Sequence, residues 1–227
     1  MSLFVIADLH LSLGKSKPME IFMGWDNHVE RLTRNWNAVV RTDDTVVIAG
    51  DISWAQNLTD ALPDLEYIDN VLNGRKIIIK GNHDYWWTSL SKLNNCGFTN
   101  ISFLHRNAYL IGGIAVCGTR GWLGERGETP EKLQKREAGR LEASARQAVE
   151  LGASEIIAFL HYPPIHCGQE DYEIIDVLQR FNIRRCYYGH LHGHAQKNAV
   201  TGTRYGVEFN LIAADFVSFT PQKIEKY

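Results

Sequence analysis

The sequence predicts an α/β fold, and three observations carry that prediction. Short runs rich in Val, Ile and Leu alternate with segments whose apolar residues recur at helical spacing, the rhythm of strands joined through helices. Five of the apolar runs end in polar motifs built from Asp, Asn and His. The chain has 227 residues, 44% of them hydrophobic and 22% charged, which suits one large domain over residues 1–227 better than two.

Residues 3–7, Leu-Phe-Val-Ile-Ala, read as a first buried strand that delivers Asp8-Leu9-His10. Val29, Leu32, Trp36, Val39 and Val40 then fall on one helical face, with Asn27 and Glu30 at capping-box spacing. Thr45–Ala49 is a second strand ending at Gly50-Asp51, and Leu62, Leu65, Ile68 and Leu72 form a helical stripe closed by Asn73-Gly74. Residues 76–80 are a third strand, followed at once by Gly81-Asn82-His83-Asp84.

The rhythm changes after that. Residues 101–104, 108–111 and 114–117 read as successive strands with short turns, so this region is expected to be partly antiparallel. Thr129-Pro130 opens a helix that Leu133, Leu141, Ala145 and Val149 continue to Gly152, with its charges between Glu131 and Arg146 on a solvated face. Strand-like residues 156–160 end at His161, and residues 186–188 end at Gly189-His190-Leu191-His192. Residues 204–212 and 216–220 close the chain as further β structure. There is no internal repeat, low-complexity segment or linker.

Formal net charge is −2 and the longest basic run is Arg184-Arg185, so attraction to nucleic acid or to an anionic membrane surface is not expected. No stretch approaches the length of a membrane span, and with a strand-like run already at residues 3–7 a signal peptide is not expected. Cys96, Cys117, Cys167 and Cys186 show no paired metal spacing, and Cys117 and Cys186 sit in apolar runs as small buried thiols. The expectation is a reducing, cytoplasmic location.

In open α/β sheets ligands gather at the carboxyl ends of strands, so the periodicity aims all five motifs at one edge. Asp8 and His10 are two apart, as are His190 and His192, and on an extended strand each pair shares a face. The motifs together offer carboxylate, imidazole and amide oxygen, a mixture suited to Zn, Fe or Mn. Seven such groups are too many for one tetrahedral site and about right for two ions sharing a bridge. Two ions ~3.5–4 Å apart can clamp the attacking and leaving oxygens of a phosphoryl displacement. Asp8 and Asp51 return two negative charges to four positive ones, which leaves the site fit for a phosphate oxyanion. Any one motif alone suggests only a turn or cap; five in this order, each closing an apolar run, do not.

Asp8-Leu9-His10, Gly50-Asp51, Gly81-Asn82-His83-Asp84, His161 and Gly189-His190-Leu191-His192 resemble the motifs of the calcineurin-like metallophosphoesterase superfamily, over residues 8–192. The resemblance implies a four-layer αββα sandwich of two mixed β-sheets flanked by helices. It implies a dinuclear centre with one metal on Asp8, His10, Asp51 and His192 and the second on Asp51, Asn82, His161 and His190. It also implies hydrolysis of a small phosphorylated substrate, as a phosphatase or phosphodiesterase, by direct attack of a metal-bridging hydroxide on phosphorus. His83, oriented by Asp84, would stabilise the transition state or protonate the leaving group. The implied cofactors are two divalent or mixed-valence ions, Mn, Fe or Zn. The alternative is a non-catalytic protein-binding scaffold, which would be expected to have lost ligands or His83; this chain keeps both.

Around the motifs, Trp54, Tyr85-Trp86-Trp87, Trp122 and Tyr162 suggest an aromatic rim for an organic leaving group, with at least one of Trp86 and Trp87 in the core. Residues 118–129 suggest a lid from which Arg120 reaches phosphate, while Arg126 suits a solvated loop. His194 reads as a surface or supporting residue, and His28, His105 and His166 as surface or capping residues.

Overall fold

Alternate side chains of the first strand enter two different cores, and this fixes the layers. Phe4 and Ile6 pack with Leu32, Trp36, Leu65 and Ile68 of two helices, whereas Leu3 and Val5 pack with Val116, Ile157 and Phe159 of a second sheet. The computed structural model describes residues 1–14, 17–123 and 130–225, so the helix start at Thr129 and the loop residue Arg126 lie outside it.

The chain begins with β1 (Leu3–Ile6), α1 (His28–Val39), β2 (Thr45–Ala49), α2 (Leu58–Asn70) and β3 (Arg75–Ile79). There follow α3 (Leu90–Asn94), β4 (Ile101–Leu104), β5 (Tyr109–Ile111), β6 (Ile114–Thr119), α4 (Pro130–Glu150) and β7 (Glu155–Leu160). The small hairpin β8 (Ile165–His166) and β9 (Gln169–Glu170) precedes α5 (Tyr172–Arg180) and β10 (Arg185–Tyr188). A 3-10 turn, Gly193–Asn198, leads to β11 (Gly202–Arg204), β12 (Val207–Leu211) and β13 (Gln222–Lys223).

One sheet has the order β13-β1-β2-β3-β4 and the other β11-β12-β10-β7-β6-β5. The inner strands of each run parallel, and β13, β11 and β5 are antiparallel edges, so both sheets are mixed. The helices α1 and α2 cover the outer face of the first sheet; α4 and α5 cover the second, through Leu141, Ala145, Ile174 and Leu178. The result is the expected αββα sandwich. The carboxyl ends of the parallel strands of both sheets meet at one edge, where Ala7 N donates to Ile212 O at 2.9 Å and Gly189 N to His161 O at 3.1 Å.

Several local expectations are corrected. The strand β4 pairs parallel to β3 in the first sheet, so only β5 and β6 form the antiparallel hairpin. The chain changes sheets between β4 and β5, at a bend where Arg106 takes φ 68° and Asn107 accepts from His105 N at 2.6 Å. Residues 216–220 are turns, because Ser218 and Phe219 adopt left-handed φ of 53° and 56°; the strand lies later, at β13. Residues 204–212 break at Tyr205-Gly206, which turns the chain between β11 and β12. Asn27 is itself left-handed at φ 49° and makes no side-chain cap. Val39 and Val149 point outward, at 40% and 56% exposure. Glu137, expected on a solvated face, is fully buried and accepts from Thr119 Oγ1 at 2.6 Å and Arg140 Nη1 at 2.6 Å. His28 is buried against Trp25 rather than lying at the surface. Among the described residues no helix is long and apolar enough to cross a membrane.

Candidate metal centre

The ligand pairs do not converge through strand alternation. β1 ends at Ile6, and Asp8 and His10 then take left-handed φ of 62° and 48°; Asp51 and His190 do the same at 52° and 71°. Such backbone costs an L-residue roughly 1–2 kcal/mol, and it persists only where the surroundings hold it. Here Asp8 N donates to Gly50 O at 2.9 Å and His10 N to Asp51 O at 3.0 Å, so the two motif loops fix each other. These turns, rather than a shared strand face, carry the side chains to the sheet edge.

The motif glycines make room for this. A Cβ on Gly81 would collide with Asp51 Oδ1, and one on Gly189 with Asp8 Oδ2. Neighbouring backbone amides then grip the carboxylates directly: His83 N donates to Asp51 Oδ1 at 2.8 Å, and His190 N to Asp8 Oδ2 at 3.0 Å.

All seven sequence-predicted ligands come together. Asp8, His10 and His192 bring three ligand atoms within 4.8 Å of one another, and so do Asp8, Asp51 and His161. Asp51 Oδ2 lies 3.8 Å from His10 Nε2 and 3.5 Å from His161 Nε2, between the two groups of imidazoles. Asn82 Oδ1 lies 2.6 Å from His161 Nε2 and 3.0 Å from His190 Nδ1. Burial holds His161 down to about 3, hence neutral, and its Nδ1 lies 3.1 Å from Ala49 O. A proton on Nδ1 satisfies that carbonyl and leaves the Nε2 lone pair facing the Asn82 oxygen. Two lone pairs at this distance fit a shared cation.

Charge points the same way. Burial and then the His192 imidazole push His10 well below its ordinary value, and burial takes His190 to about 3. Burial, then the carboxylates of Asp84 and Asp8, raises Asp51 well above the usual carboxylate range. Burial works against a proton on His192, yet Asp8 and Asp215 outweigh it and lift the group to about 10. The buried carboxylates thus call for positive charge at this edge, and the carboxylate–imidazole–amide donor set fits divalent ions.

His83 stands beside this cluster with its ring 4.4 Å from Trp54 and 5.9 Å from His10. Asp84 is fully buried, and burial lifts it to about 6. Its carboxylate accepts from Gly81 N at 2.7 Å, Ile52 N at 2.9 Å, Ser53 N at 3.3 Å and Trp86 Nε1 at 2.9 Å. Among the described residues Asp84 therefore acts on the backbone that carries His83. Trp86 is buried beneath the turn and does not begin a helix, and Trp87 packs edge-on to Phe103; Tyr85 is exposed.

Trp54 stacks on His10 at 4.7 Å, with Lys17 Nζ 3.3 Å from its ring centre. Tyr162 is buried with its ring 4.2 Å from His190 and 5.6 Å from Trp122, so it supports the cluster from within. The Arg120 carbonyl accepts from His161 N and Tyr162 N, while its guanidinium lies 3.9 Å from Glu137. His194 is exposed on the 3-10 turn.

Two residues at the centre escaped the sequence reading. Asp215 Oδ1 lies 2.8 Å from His192 Nδ1, which directs the other ring nitrogen toward Asp8 and His10. Its signal was present, since Asp215 closes the apolar run Ile212-Ala213-Ala214 as the other acids close theirs. Trp25 is buried edge-on to His10 at 5.6 Å and to His192 at 5.5 Å; it comes from a loop without periodicity, and no pattern marks it.

A family model described as calcineurin-like phosphoesterase matches residues 1–194. Among solved structures, the chain is similar to TT1561 of Thermus thermophilus, with 13% identity, a TM-score of 0.55 and coverage of 98% of this chain and 97% of that one. It is also similar to AQ665 from Aquifex aeolicus, a protein of unknown function, with 16% identity, a TM-score of 0.53 and coverage of 98% and 95%. At these identities the likeness concerns the fold. None of the curated proteins matches the chain.

Proposed function

The chain belongs to the calcineurin-like phosphoesterase family, and from that membership and its strand-end cluster we propose that residues 1–227 act as one domain, a hydrolase of phosphoric esters with a dinuclear metal centre. The observation that carries this reading is the position of Asp51 Oδ2, which faces His10 on one side and His161 on the other. Asp8, His10, Asp51 and His192 would hold one ion, and Asp51, Asn82, His161 and His190 the second. Mn, Fe and Zn suit these donors. Two such ions supply a water-derived nucleophile at neutral pH and positive charge for the phosphoryl oxygens.

The chain's own residues do the rest. Asp215 and the Ala49 carbonyl fix the ring orientations of His192 and His161, so that their other nitrogens face the centre. His83, held through the turn that Asp84 organises, stands where it can bond a phosphoryl oxygen or give a proton to the departing oxygen. Trp54, stacked on His10 and beside His83, forms an aromatic wall that would border an organic group of the substrate. Turnover of an aryl phosphate monoester and diester, measured across Mn, Co, Ni, Zn and Fe, tests the reading and assigns the ester class. Hydrolysis of at least one ester with one of these ions is expected; none with any ion contradicts the proposal.

A further inference from the structure

A cavity of 540 Å³ opens at the carboxyl ends of β3, β4 and β6, one step along the same edge from the ligand cluster. Lys80, on its wall, lies two residues before Asn82; Arg120, also on its wall, carries the carbonyl bonded by His161 N. Lys80, Arg106, Arg120 and Arg140 line it, together with His105 and a single carboxylate, Glu137. Glu137 is already engaged by Thr119 Oγ1 and Arg140 Nη1 at 2.6 Å each, by Arg136 at 3.4 Å and by Arg120 at 3.9 Å. Among the described residues neither Lys80 nor Arg106 makes an ion pair, and Arg120 Nε is buried without a hydrogen-bond partner.

Four cations thus face one carboxylate in a concave pocket. An ordinary surface disperses such charge, because like charges in a shared cleft repel. The buried Glu137 accounts for Arg140 and for the lean of Arg120; it does not account for Lys80 or Arg106. Arg106 is presented on a left-handed backbone of φ 68° that the Asn107 side chain braces, so its placement at the rim is built into the crossing from one sheet to the other. A cavity of 800 Å³ at the opposite ends of β6 and β7 has no such imbalance: Glu155 and Glu208 stand there with Arg184.

We propose that this cavity is a second anion subsite, and that the ester hydrolysed at the neighbouring centre carries a second phosphate group, received by Lys80 and Arg106. The proposal rests on the hydrolase reading for the identity of the substrate, and on the cavity alone for the binding of phosphate. Arginine forks match phosphate oxygens two at a time, and a partly enclosed cleft strengthens each such bond relative to open water.

The test compares two Mn-loaded reactions, an aryl monophosphate and the same aryl ester bearing a second phosphate on its ring, in the wild type and in Arg106→Ala and Arg106→Glu. Calorimetric titration of inorganic pyrophosphate into the full chain accompanies it, with a chelator present so that no cation bridges the ligand. The expected result is a kcat/KM for the bisphosphate about tenfold above that for the monophosphate, as one extra charge-assisted contact gives. Either substitution should erase that preference while leaving the monophosphate rate unchanged, and Arg106→Ala should weaken pyrophosphate binding by a similar factor. Equal kcat/KM for the two esters, with pyrophosphate binding unaltered by Arg106→Ala, overturns the subsite. Should neither ester be turned over, the hydrolase reading fails, and the calorimetry decides the subsite by itself: weaker binding in Arg106→Ala supports it, and unchanged or absent binding overturns it.

Discussion

His192 sits between two carboxylates, with Asp215 on its Nδ1 side at 2.8 Å and Asp8 on its Nε2 side at 3.5 Å. One acid orients the ring and the other shares the task the ring is oriented for. Asp215→Asn should therefore keep the fold but weaken metal binding, by about 10–100-fold on the scale of such outer partners; competition with a chromogenic chelator measures it, and unchanged affinity would contradict the assignment. His83 has a different place, beside the cluster and against Trp54. His83→Ala is expected to retain the metals while turnover falls by about 10²–10⁴-fold, the range of a general acid, and full activity with metal bound would remove His83 from the mechanism. At this scale the motif residues were legible because each one closes an apolar run. Asp215 closes one too, but it lacks a Gly or His beside it to mark the pattern. Trp25 was not legible at all, since packing from an irregular loop leaves no period to read.

Between residues and sheets, the connection from α2 to β3 shows how an element's end is secured. Lys76 is buried, and its Nζ donates to Asp69 O in the last turn of α2 at 3.4 Å and to Leu72 O and Gly74 O of the connection that follows at 2.8 Å. Lys76→Met strands those acceptors and should destabilise the fold by about 1–3 kcal/mol. Burial also lowers the amine to about 8, against about 10.4 in an unfolded chain. Between these values the unfolded chain holds the proton that the folded one has released, so this group makes stability rise with pH from about 8 to 10. Urea unfolding of both proteins at the two pH values checks the sign; the wild type should gain on Lys76→Met as pH rises. The parallel strands were legible as elements because their two-sided burial writes continuous apolar runs. The assignment of β4 to the first sheet was not, because three short strands in succession read equally as a meander and as a crossing. Residues 216–220 misled for a related reason: Val217 and Phe219 pack on the first core, Phe219 edge-on to Trp25 at 5.1 Å, while the backbone turns through left-handed φ.

At the scale of the molecule, two sheets deliver one centre. The first sheet supplies Asp8, His10, Asp51 and Asn82 from the ends of β1, β2 and β3, and the second supplies His161, His190 and His192 from the ends of β7 and β10. The sandwich core of Val5, Val47, Ile77, Val116, Ile157 and Phe159 holds those two edges in register. This explains why a composition near average, with net charge −2, still concentrates Asp, Asn and His side chains at one edge: the fold sorts the charge, and the bulk numbers do not record it. The sequence order of the motifs made that edge readable. The left-handed turns that aim the side chains were not readable, because Asp and His tolerate such backbone only when neighbouring loops bond to it. The most direct test counts metal and turnover together in the wild type and in Asp51→Ala, by elemental analysis and aryl ester hydrolysis after loading with Mn or Zn. Two ions per wild-type chain with turnover are expected, and loss of both the second ion and the turnover in Asp51→Ala. A single ion in the wild type, with no turnover under any divalent ion, would contradict the dinuclear centre.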